Sequence, residues 1–273
     1  MKANKLKALW QGDQPALNGW CSIGSSFTAE IMAAQGFDSI TIDMQHGALD
    51  YGMALPMVQA LRNAGPTIMA RVPWRDPSWI MKALDMGVEG IICPMVNSRA
   101  EADEFVSYLR YPPHGQRSYG PTRAGIADPS YNVKDANAQV LAIAMIETAA
   151  GMEHLEEIAA TPGLDGIYVG PADLTLGTQA GRLPPGFDRE EPEMIAMIKE
   201  IAAVCRKNKI AACLHCGSPA YAARAIEWGY RLTTVGGDVR FLAQSARAAV
   251  TGWHEVVSRA TGSDSTGAGK GGY

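Results

Sequence analysis

Several apolar stretches of this sequence end abruptly in polar side chains that could do chemistry. The stretch SITIDMQHGALD, residues 39–50, is apolar and β-branched as far as Ile42 and then presents an acid, an amide and an imidazole. The polar side chains that follow this and the other apolar stretches are Asp43, Gln45, His46, Arg71, Glu147 and Asp173. Carboxylates bind cations, arginine stabilises anions and histidine transfers protons, so these residue types together are typical of an enzyme site.

Two of these acids could bind a metal ion. Glu147 follows LAIAMI and Asp173 follows GIYVGPA, so each carboxylate comes at the end of an apolar strand-like run. Two such carboxylates are suitable ligands for a hard divalent ion such as Mg²⁺, with water or substrate oxygens in the remaining positions. Alternatively, Glu147 could cap the helix that opens ETAAG, and Asp173 could cap a turn. Either acid alone leaves both interpretations open, whereas the pair favours a metal.

Arg71 and His46 have alternative interpretations as well. Arg71 ends TIMARVP and is a permanent cation suited to a carboxylate or a developing oxyanion, yet it could also pair with Asp43. The two roles are compatible. A single histidine is more often structural, but beside a metal and an arginine His46 is interpreted as catalytic. No lysine ends a predicted strand, which disfavours a Schiff-base mechanism.

The order of segments predicts the fold that must position these residues. Short apolar segments alternate with amphipathic ones, which is the pattern of repeated βα units. We predict strands near 19–24, 38–43, 67–71, 89–94, 140–146, 165–169, 210–214 and 231–235. We predict helices near 26–35, 53–64, 77–87, 99–110, 150–160, 191–208, 218–229 and 239–250. Eight strands in alternation with helices favour an α/β fold, a closed (β/α)8 TIM barrel, whose strand ends converge on one pocket.

The expected domain organisation is one barrel over residues 1–255 and a flexible tail over 256–273, which ends in the Gly/Ser-rich GSDSTGAGKGGY. Two of the connections between predicted helices and strands are much longer than a simple loop needs to be. Residues 111–138 and 170–190 are both expected on the active-site face, as substrate loops or lids.

Composition excludes several classes of function. The 273 residues are 47% hydrophobic and 19% charged, with a formal net charge of −4. No Lys/Arg run interleaved with aromatics could follow a phosphate backbone, so no nucleic-acid partner is expected. No apolar run is long enough for a membrane, and the first residues lack the features of a signal peptide. We therefore expect no membrane partner and a cytoplasmic protein.

The five cysteines are expected to be reduced thiols, because an odd number does not suit a disulfide scaffold. The stretch CLHC, residues 213–216, could be half of a zinc site, but no second Cys/His pair has structural-zinc spacing. Core thiols are the favoured interpretation. The stretch VGGD, residues 235–238, is only a weak phosphate-binding signal.

The motifs FDSITIDMQHG, ARVPWRDP, ALDMGVEGIICPMV, RYPPHGQRSYG, MIETAAG, GIYVGPADL and VGGD occur in this order across residues 18–250. This series resembles the HpcH/HpaI aldolases, which are metal-dependent class II pyruvate aldolases related to 4-hydroxy-2-oxoacid and 2-dehydro-3-deoxyglucarate aldolases. The resemblance implies a divalent Mg²⁺, Mn²⁺ or Co²⁺ ion and no organic cofactor. It implies small-molecule 2-oxoacid and aldehyde substrates. It also implies a homo-oligomer, usually a hexamer of dimers that exchange their last helix.

Carried over by position, the resemblance implies that Glu147 and Asp173 bind the metal and that Arg71 holds the keto or enolate oxygen of the substrate. His46 and Asp85 match a His–Asp pair that acts as the base together with metal-bound water. The position of Asp85 in LDMG gives no independent reason for it to approach His46.

The same resemblance implies a substrate-binding segment after the sixth strand and secondary residues near the second. The substrate carboxylate would be bound by backbone N–H groups around Ala172 and Asp173. The remaining residues assigned to substrate binding are Gly170, Pro171 and Leu214. Asp43 and Gln45 are the secondary site residues, and Asp43 would orient Arg71.

The implied reaction is enolisation of pyruvate or hydroxypyruvate followed by addition to an aldehyde, with cleavage of 4-hydroxy-2-oxoacids in reverse. Two departures bear on the donor: Gln45 stands in DMQH where many members have glutamate, and Met145 stands where many have glutamine. Because both make the pocket less anionic or less polar, we hypothesise that hydroxypyruvate is accepted as well as pyruvate. The alternatives are oxaloacetate decarboxylation on the same site and a non-catalytic 2-oxoacid-binding barrel.

Overall fold

Eight parallel strands close into one barrel in the computed structural model, which describes residues 2–261. Each strand pairs with the next in sequence, and the last pairs with the first, which confirms the predicted (β/α)8 architecture. The strands are β1 (Ala16–Cys21), β2 (Ser39–Asp43), β3 (Thr67–Arg71), β4 (Gly90–Cys93), β5 (Leu141–Ile146), β6 (Gly166–Val169), β7 (Ala211–His215) and β8 (Leu232–Gly237).

Helices surround the barrel and are more numerous than the sequence pattern predicts. They are α1 (Lys5–Gln11), α2 (Ser26–Ala33), α3 (Tyr51–Leu61), α4 (Pro77–Met86), α5 (Arg99–Leu109), α6 (Thr122–Ala127), α7 (Val133–Gln139), α8 (Ala149–Glu153), α9 (Leu155–Ala159), α10 (Pro171–Gln179), α11 (Pro192–Asn208), α12 (Pro219–Trp228) and α13 (Asp238–Thr261). No helix within residues 2–261 is both long and apolar enough to span a bilayer.

The strands read as continuous apolar runs because both of their faces are buried. In β5 the first, third and fifth side chains fill the barrel interior, while the second, fourth and sixth pack against the surrounding helices. This two-sided burial is typical of parallel barrels. The unpredicted α1 closes the amino end of the interior, where Leu6 is fully buried.

One predicted loop position is wrong. The connection 111–138 follows a helix, α5, and leads into β5, so it lies at the amino ends of the strands, opposite the active-site face. It also folds locally, into α6 and α7. The connection 170–190 does follow a strand, β6, and it lies on the active-site face, where its first residues form α10.

The carboxyl-terminal boundary also differs from the prediction. The last helix, expected near 239–250, runs through Asp238–Thr261. The expected tail therefore begins in helix over 256–261, while its remainder, 262–273, lies outside the described residues. The helix continues because residues 251–261 contain no proline and one glycine, and its exposed polar side chains suit a helical surface.

Candidate active site

The carboxyl ends of the strands open on a cavity of about 640 Å³. Six of the residues selected from the sequence line this cavity: Asp43, His46, Arg71, Gly170, Ala172 and Asp173. Further residues complete the walls, among them Trp20, Tyr168, Phe187, His215 and Arg240. The strand ends therefore converge as the fold requires.

Asp43 and Arg71 form a fixed ion pair in one wall. The Nε and Nη2 groups of Arg71 donate to the two oxygens of Asp43 at 2.9 and 2.7 Å, and the Trp20 indole donates to the same carboxylate at 3.1 Å. Burial alone would raise the pKa of Asp43, but the hydrogen bonds and charge of Arg71 hold that pKa below its ordinary value. The carboxylate therefore stays ionised and orients the guanidinium toward the cavity.

The turn after β2 positions His46. Asp43 Oδ1 accepts the backbone N–H groups of Gln45 and His46, each at 3.2 Å, and the Gly47 N–H closes the turn onto the Asp43 carbonyl at 3.1 Å. A Cβ at position 47 would lie 2.2 Å from that carbonyl oxygen, so the turn requires glycine. The His46 ring is exposed at the cavity wall, and no described residue hydrogen-bonds to its nitrogens.

Glu147 is a buried carboxylate with little compensation. Its side chain is only 3% exposed, and the Met95 N–H donates to Oε1 at 2.8 Å. Burial raises the pKa of Glu147 to about 7, against the Met95 hydrogen bond, and the charge of Asp173 adds to the rise. Thr148, not Glu147, caps α8 by accepting the Gly151 N–H, so the capping alternative for Glu147 is wrong.

Asp173 lies in the first turn of α10, beside Glu147. It makes no capping hydrogen bond there, so the turn-cap alternative is not what the structure has. The N–H groups of Ala172 and Asp173 have no acceptor among the described residues, as expected at a helix amino terminus. Close packing sets this geometry, because a Cβ at Gly170 would lie 2.8 Å from Glu147 Oε2.

These two carboxylates fit the divalent ion implied by the sequence. No group of three His, Cys, Asp or Glu side chains gathers at one point within residues 2–261, so two carboxylates would leave the other positions to substrate and water. Burial makes ionisation of Glu147 unfavourable, and the like charge of Asp173 adds to that penalty. A cation held by Glu147 and Asp173 would offset that penalty.

A chain of buried hydrogen bonds runs from the barrel interior to the cavity. Ser39 and Thr41 donate to Asn18 Oδ1 at 2.8 and 3.1 Å, and Asn18 Nδ2 donates to Thr234 Oγ1 at 2.9 Å. The Tyr168 hydroxyl lies 2.7 Å from Thr234 Oγ1 and 3.1 Å from His215 Nδ1. Burial lowers the pKa of His215 to about 3, so the imidazole is neutral.

The family model for HpcH/HpaI aldolase/citrate lyase matches residues 20–245 of this chain. The chain belongs to that family. A hydroxypyruvate/pyruvate aldolase from Rhizorhabdus wittichii is 36% identical over 244 residues, which cover 89% of this chain and 96% of that protein. A 4-hydroxy-2-oxo-heptane-1,7-dioate aldolase from Escherichia coli is 32% identical over 249 residues, covering 90% and 93%.

Solved structures agree with this assignment to the HpcH/HpaI family. A family protein from Burkholderia cenocepacia J2315 has a TM-score of 0.85 at 32% identity and covers 92% of this chain and 100% of its own. Relatives that match nearly the full length are aldolases, which are carbon–carbon lyases. This chain is therefore an enzyme of that class.

Not every residue assigned by position lies in the cavity of this HpcH/HpaI enzyme. Asp85 lies in the last turn of α4, near the amino end of β4, and forms an ion pair with Arg117 at 2.9 Å. Within one subunit it is therefore at the opposite end of the barrel from His46. Burial raises the pKa of Asp85, and Arg117 opposes that effect.

Four other assigned residues lie behind the walls without lining them, and the buried Glu147 described above is one of these. Leu214 is fully buried between the barrel and its helices, because the strand alternation turns its neighbour His215 inward instead. Pro171 is buried at the start of α10. Gln45 lies beside the turn, and its Oε1 is buried without a hydrogen-bond partner in the described chain.

The residues that sequence reasoning missed are mostly aromatic or cationic wall residues. His215 was visible in CLHC, and the two-residue period of β7 places Cys213 and His215 on the inward face. Tyr168 could have been found by the same alternation in β6. Phe187 and Arg240 lie outside the strands, so no periodicity points to them. The five cysteines are buried and unbridged, as expected of core thiols.

Proposed function

We propose that this enzyme is a metal-dependent class II aldolase that enolises pyruvate or hydroxypyruvate and adds it to an aldehyde, forming and cleaving 4-hydroxy-2-oxoacids. The observation that carries the proposal is the buried Glu147 carboxylate beside Asp173 and Gly170, at the edge of a cavity in which Arg71 is fixed by Asp43. This arrangement combines a cation site with an anion-stabilising group in one pocket.

The donor would bind between β6 and β3. Glu147 and Asp173 would hold Mg²⁺, Mn²⁺ or Co²⁺, and the ion, when bound, would supply Lewis-acid polarisation of a ketone. The N–H groups of Ala172 and Asp173 would receive the donor carboxylate, which suits the amino end of α10 and its dipole. No organic cofactor is required by this chemistry.

Arg71 would stabilise negative charge on the donor, and His46 would help to remove its proton. Arg71 would donate hydrogen bonds to the keto oxygen of the donor and stabilise the negative charge that develops there. His46 would take part in removing the proton from C3 of the donor, because its ring is exposed at the cavity wall and not otherwise engaged. Gln45 and Met145 leave this region less anionic or less polar, which supports the use of hydroxypyruvate as a second donor.

Asp85 would act on the site of a neighbouring subunit in a homo-oligomer, which we propose to be a hexamer. Its place at the amino end of its own barrel excludes contact with His46 of the same chain but not with a neighbour. The connection 111–138 lies at the same end and would accompany it across the interface. The buried, unbridged cysteines support a cytoplasmic location.

The test is metal-dependent exchange at C3 of the donor. The protein is stripped with EDTA, reloaded with Mn²⁺ and incubated with pyruvate or hydroxypyruvate in D₂O, and proton loss is followed by NMR. Exchange is expected only with Mn²⁺. Glu147→Gln and Asp173→Asn should abolish exchange and weaken Mn²⁺ binding measured by calorimetry, whereas Glu153→Gln, an exposed acid of α8, should do neither.

Other outcomes separate the alternatives. Full exchange in EDTA would overturn the metal assignment. Absence of exchange with both donors, together with retained donor binding, would indicate a non-catalytic 2-oxoacid-binding barrel. Release of CO₂ from oxaloacetate without product from pyruvate and aldehydes would indicate decarboxylation instead.

A further inference from the structure

The connection between β4 and α5, residues 94–98, contacts the Glu147 carboxylate through a residue with an unfavourable backbone conformation. Met95 has a φ of 56°, which lies in the left-handed region. Residues with a Cβ rarely adopt this conformation, and it persists only where the surrounding structure holds it. With this backbone, the Met95 N–H donates to Glu147 Oε1 at 2.8 Å. The strained residue is therefore the one that binds the candidate metal ligand.

The place of Met95 in the fold sets it apart from the other strained positions. Elsewhere in residues 2–261, the non-glycine residues with positive φ follow helix ends, where a left-handed residue is common, and they are Asp13, Ala180 and Lys209. Met95 instead follows a strand, β4, at the active-site end of the barrel. Helix termination therefore does not explain its conformation.

Asn97 holds Met95 in this conformation. Its Nδ2 donates to the Met95 carbonyl at 3.1 Å, and its Oδ1 accepts from the Thr148 hydroxyl. Thr148 directly follows Glu147 and also accepts the Gly151 N–H at 2.9 Å. The Asn97 side chain therefore ties the strained residue to the turn that carries Glu147.

The contacts of Asn97 determine the orientation of its amide. The Met95 carbonyl can only accept, so it must face Nδ2, and Oδ1 then faces the Thr148 proton. The backbone around Asn97 is also fastened on two sides. The Asn97 N–H donates to Glu101 of α5 at 2.7 Å, and the Val96 N–H donates to the Met145 carbonyl of β5 at 3.3 Å.

The two oxygens of Glu147 are consequently unequal. Oε1 is occupied by the Met95 N–H, whereas Oε2 accepts no hydrogen bond from the described residues. Oε2 is the oxygen on the side of α10, because a Cβ at Gly170 would lie 2.8 Å from it. Asp173 lies in the first turn of that helix. A cation held by both carboxylates would therefore meet Oε2.

We propose that Asn97 is a positioning residue for the metal site, because it holds Met95 so that Oε1 stays occupied and Glu147 offers only Oε2 to the cation. Ligation through one oxygen suits small ions with octahedral geometry, such as Mg²⁺ and Mn²⁺. The larger Ca²⁺ takes more oxygen ligands and commonly binds both oxygens of a carboxylate. The contacts of Asn97 therefore favour the smaller ions over Ca²⁺. This inference rests on the metal site of the proposed function.

The test measures binding of Mn²⁺ and Ca²⁺ to the metal-stripped protein by calorimetry, without substrate. The wild type should bind Mn²⁺ more tightly than Ca²⁺. Asn97→Ala should weaken Mn²⁺ binding by about 10- to 100-fold, the effect of losing a group that orients a metal ligand. It should weaken Ca²⁺ binding less, because Oε1 is released. Asn208→Ala is the matched control, since this half-buried asparagine also donates from Nδ2 to a carbonyl, that of Val204, and it should change neither affinity.

Two further sets of variants separate positioning from general support of the fold. Glycine adopts a positive φ without strain, so Met95→Gly added to Asn97→Ala should regain most of the lost Mn²⁺ affinity. Hydrogen exchange at residue 95 in the metal-free protein should accelerate in Asn97→Ala and slow again in the double variant. Thr148→Val removes the hydroxyl that orients Asn97 and should also weaken Mn²⁺ binding, whereas Thr148→Ser should not.

The outcomes distinguish this inference from the proposed function. Unchanged Mn²⁺ affinity in Asn97→Ala would overturn the inference alone, as would an equal loss for both ions or a loss that Met95→Gly does not rescue. Absence of Mn²⁺ binding by the wild type would overturn the metal site of the proposed function as well.

Discussion

The ionisation of Glu147 is coupled to folding. Its folded-state pKa is about 7, against an ordinary value of 4.5, because the carboxyl is buried. Below pH 4.5 the group is protonated in both the folded and the unfolded chain. Between pH 4.5 and 7 the unfolded chain has released this proton while the folded chain still retains it. The free energy of unfolding therefore falls as the pH rises through this range, and it levels off above about pH 7.

This linkage predicts a pH-dependent difference in thermal stability. In EDTA, the Tm of the wild type minus that of Glu147→Gln should fall as the pH increases from 5 to 8, because only the wild type gains a buried charge. Mn²⁺ should then raise the Tm of the wild type at pH 8 but not that of the variant. A difference that stays constant with pH, or that grows, would contradict the assignment of a raised pKa to Glu147.

At the scale of elements, the long α13 is held to the barrel at its first residue. Asp238 is 4% exposed, and its oxygens accept the N–H groups of Ser22 and Ile23, which follow β1, at 2.9 and 3.0 Å. The same carboxylate accepts the Val239 N–H at the start of the helix. Since Arg240 lies in this first turn and lines the cavity, the anchor also fixes that part of the cavity wall.

Asp238→Ala should therefore lower the free energy of unfolding by about 1–3 kcal/mol, because it leaves partly buried N–H groups without an acceptor. Urea unfolding measures this loss, and hydrogen exchange should accelerate at residues 22 and 23. Glu255→Ala, at an exposed position of the same helix, is the matched control. Unchanged protection at residues 22 and 23 would show that the helix is anchored by other contacts.

The sequence predicted all eight strands because most are apolar runs bounded by turn residues, a signal that depends only on local burial. The first strand is the least accurate, since it was predicted near 19–24 and spans Ala16–Cys21. It was less successful with helices that have little apolar periodicity. Of these, α1 is a short helix of about two turns, and α6, α7 and α10 lie inside segments interpreted as loops. Their stability comes from packing against the barrel, which no local pattern reports.

The candidate site likewise has some features that local sequence predicts and others that depend on tertiary packing. Asp43, Arg71 and Asp173 follow directly from their positions at the carboxyl ends of strands or just beyond. Glu147 was identified as an acid at such a place, but its burial and its contact with Met95 depend on tertiary packing. The orphaned Oε1 of Gln45 could not be foreseen either, because hydrogen-bond satisfaction depends on groups distant in sequence.

At the scale of the whole molecule, two features support the proposed homo-oligomer. The His46 ring has no hydrogen-bond partner in the described chain, and Asp85 lies at the other end of the same barrel. In addition, α13 exposes a row of large apolar side chains, namely Val239, Leu242, Val250, Trp253 and Val256. Such an apolar helix face is typical of a surface buried by association, which would suit the exchange of last helices that the family resemblance implies.

If Asp85 of one subunit serves His46 of its neighbour, two inactive variants should complement each other. His46→Ala and Asp85→Asn are each expected to have little activity, but dissociation and reassembly of an equal mixture should restore about a quarter of wild-type activity, because random association gives that share of sites both intact residues. A mixture of His46→Ala with Arg71→Met is the control, since both residues belong to the same cavity and no site regains both. Equal activity in the two mixtures would show that Asp85 does not reach a neighbouring site, and Asp85 would then be a structural partner of Arg117 alone.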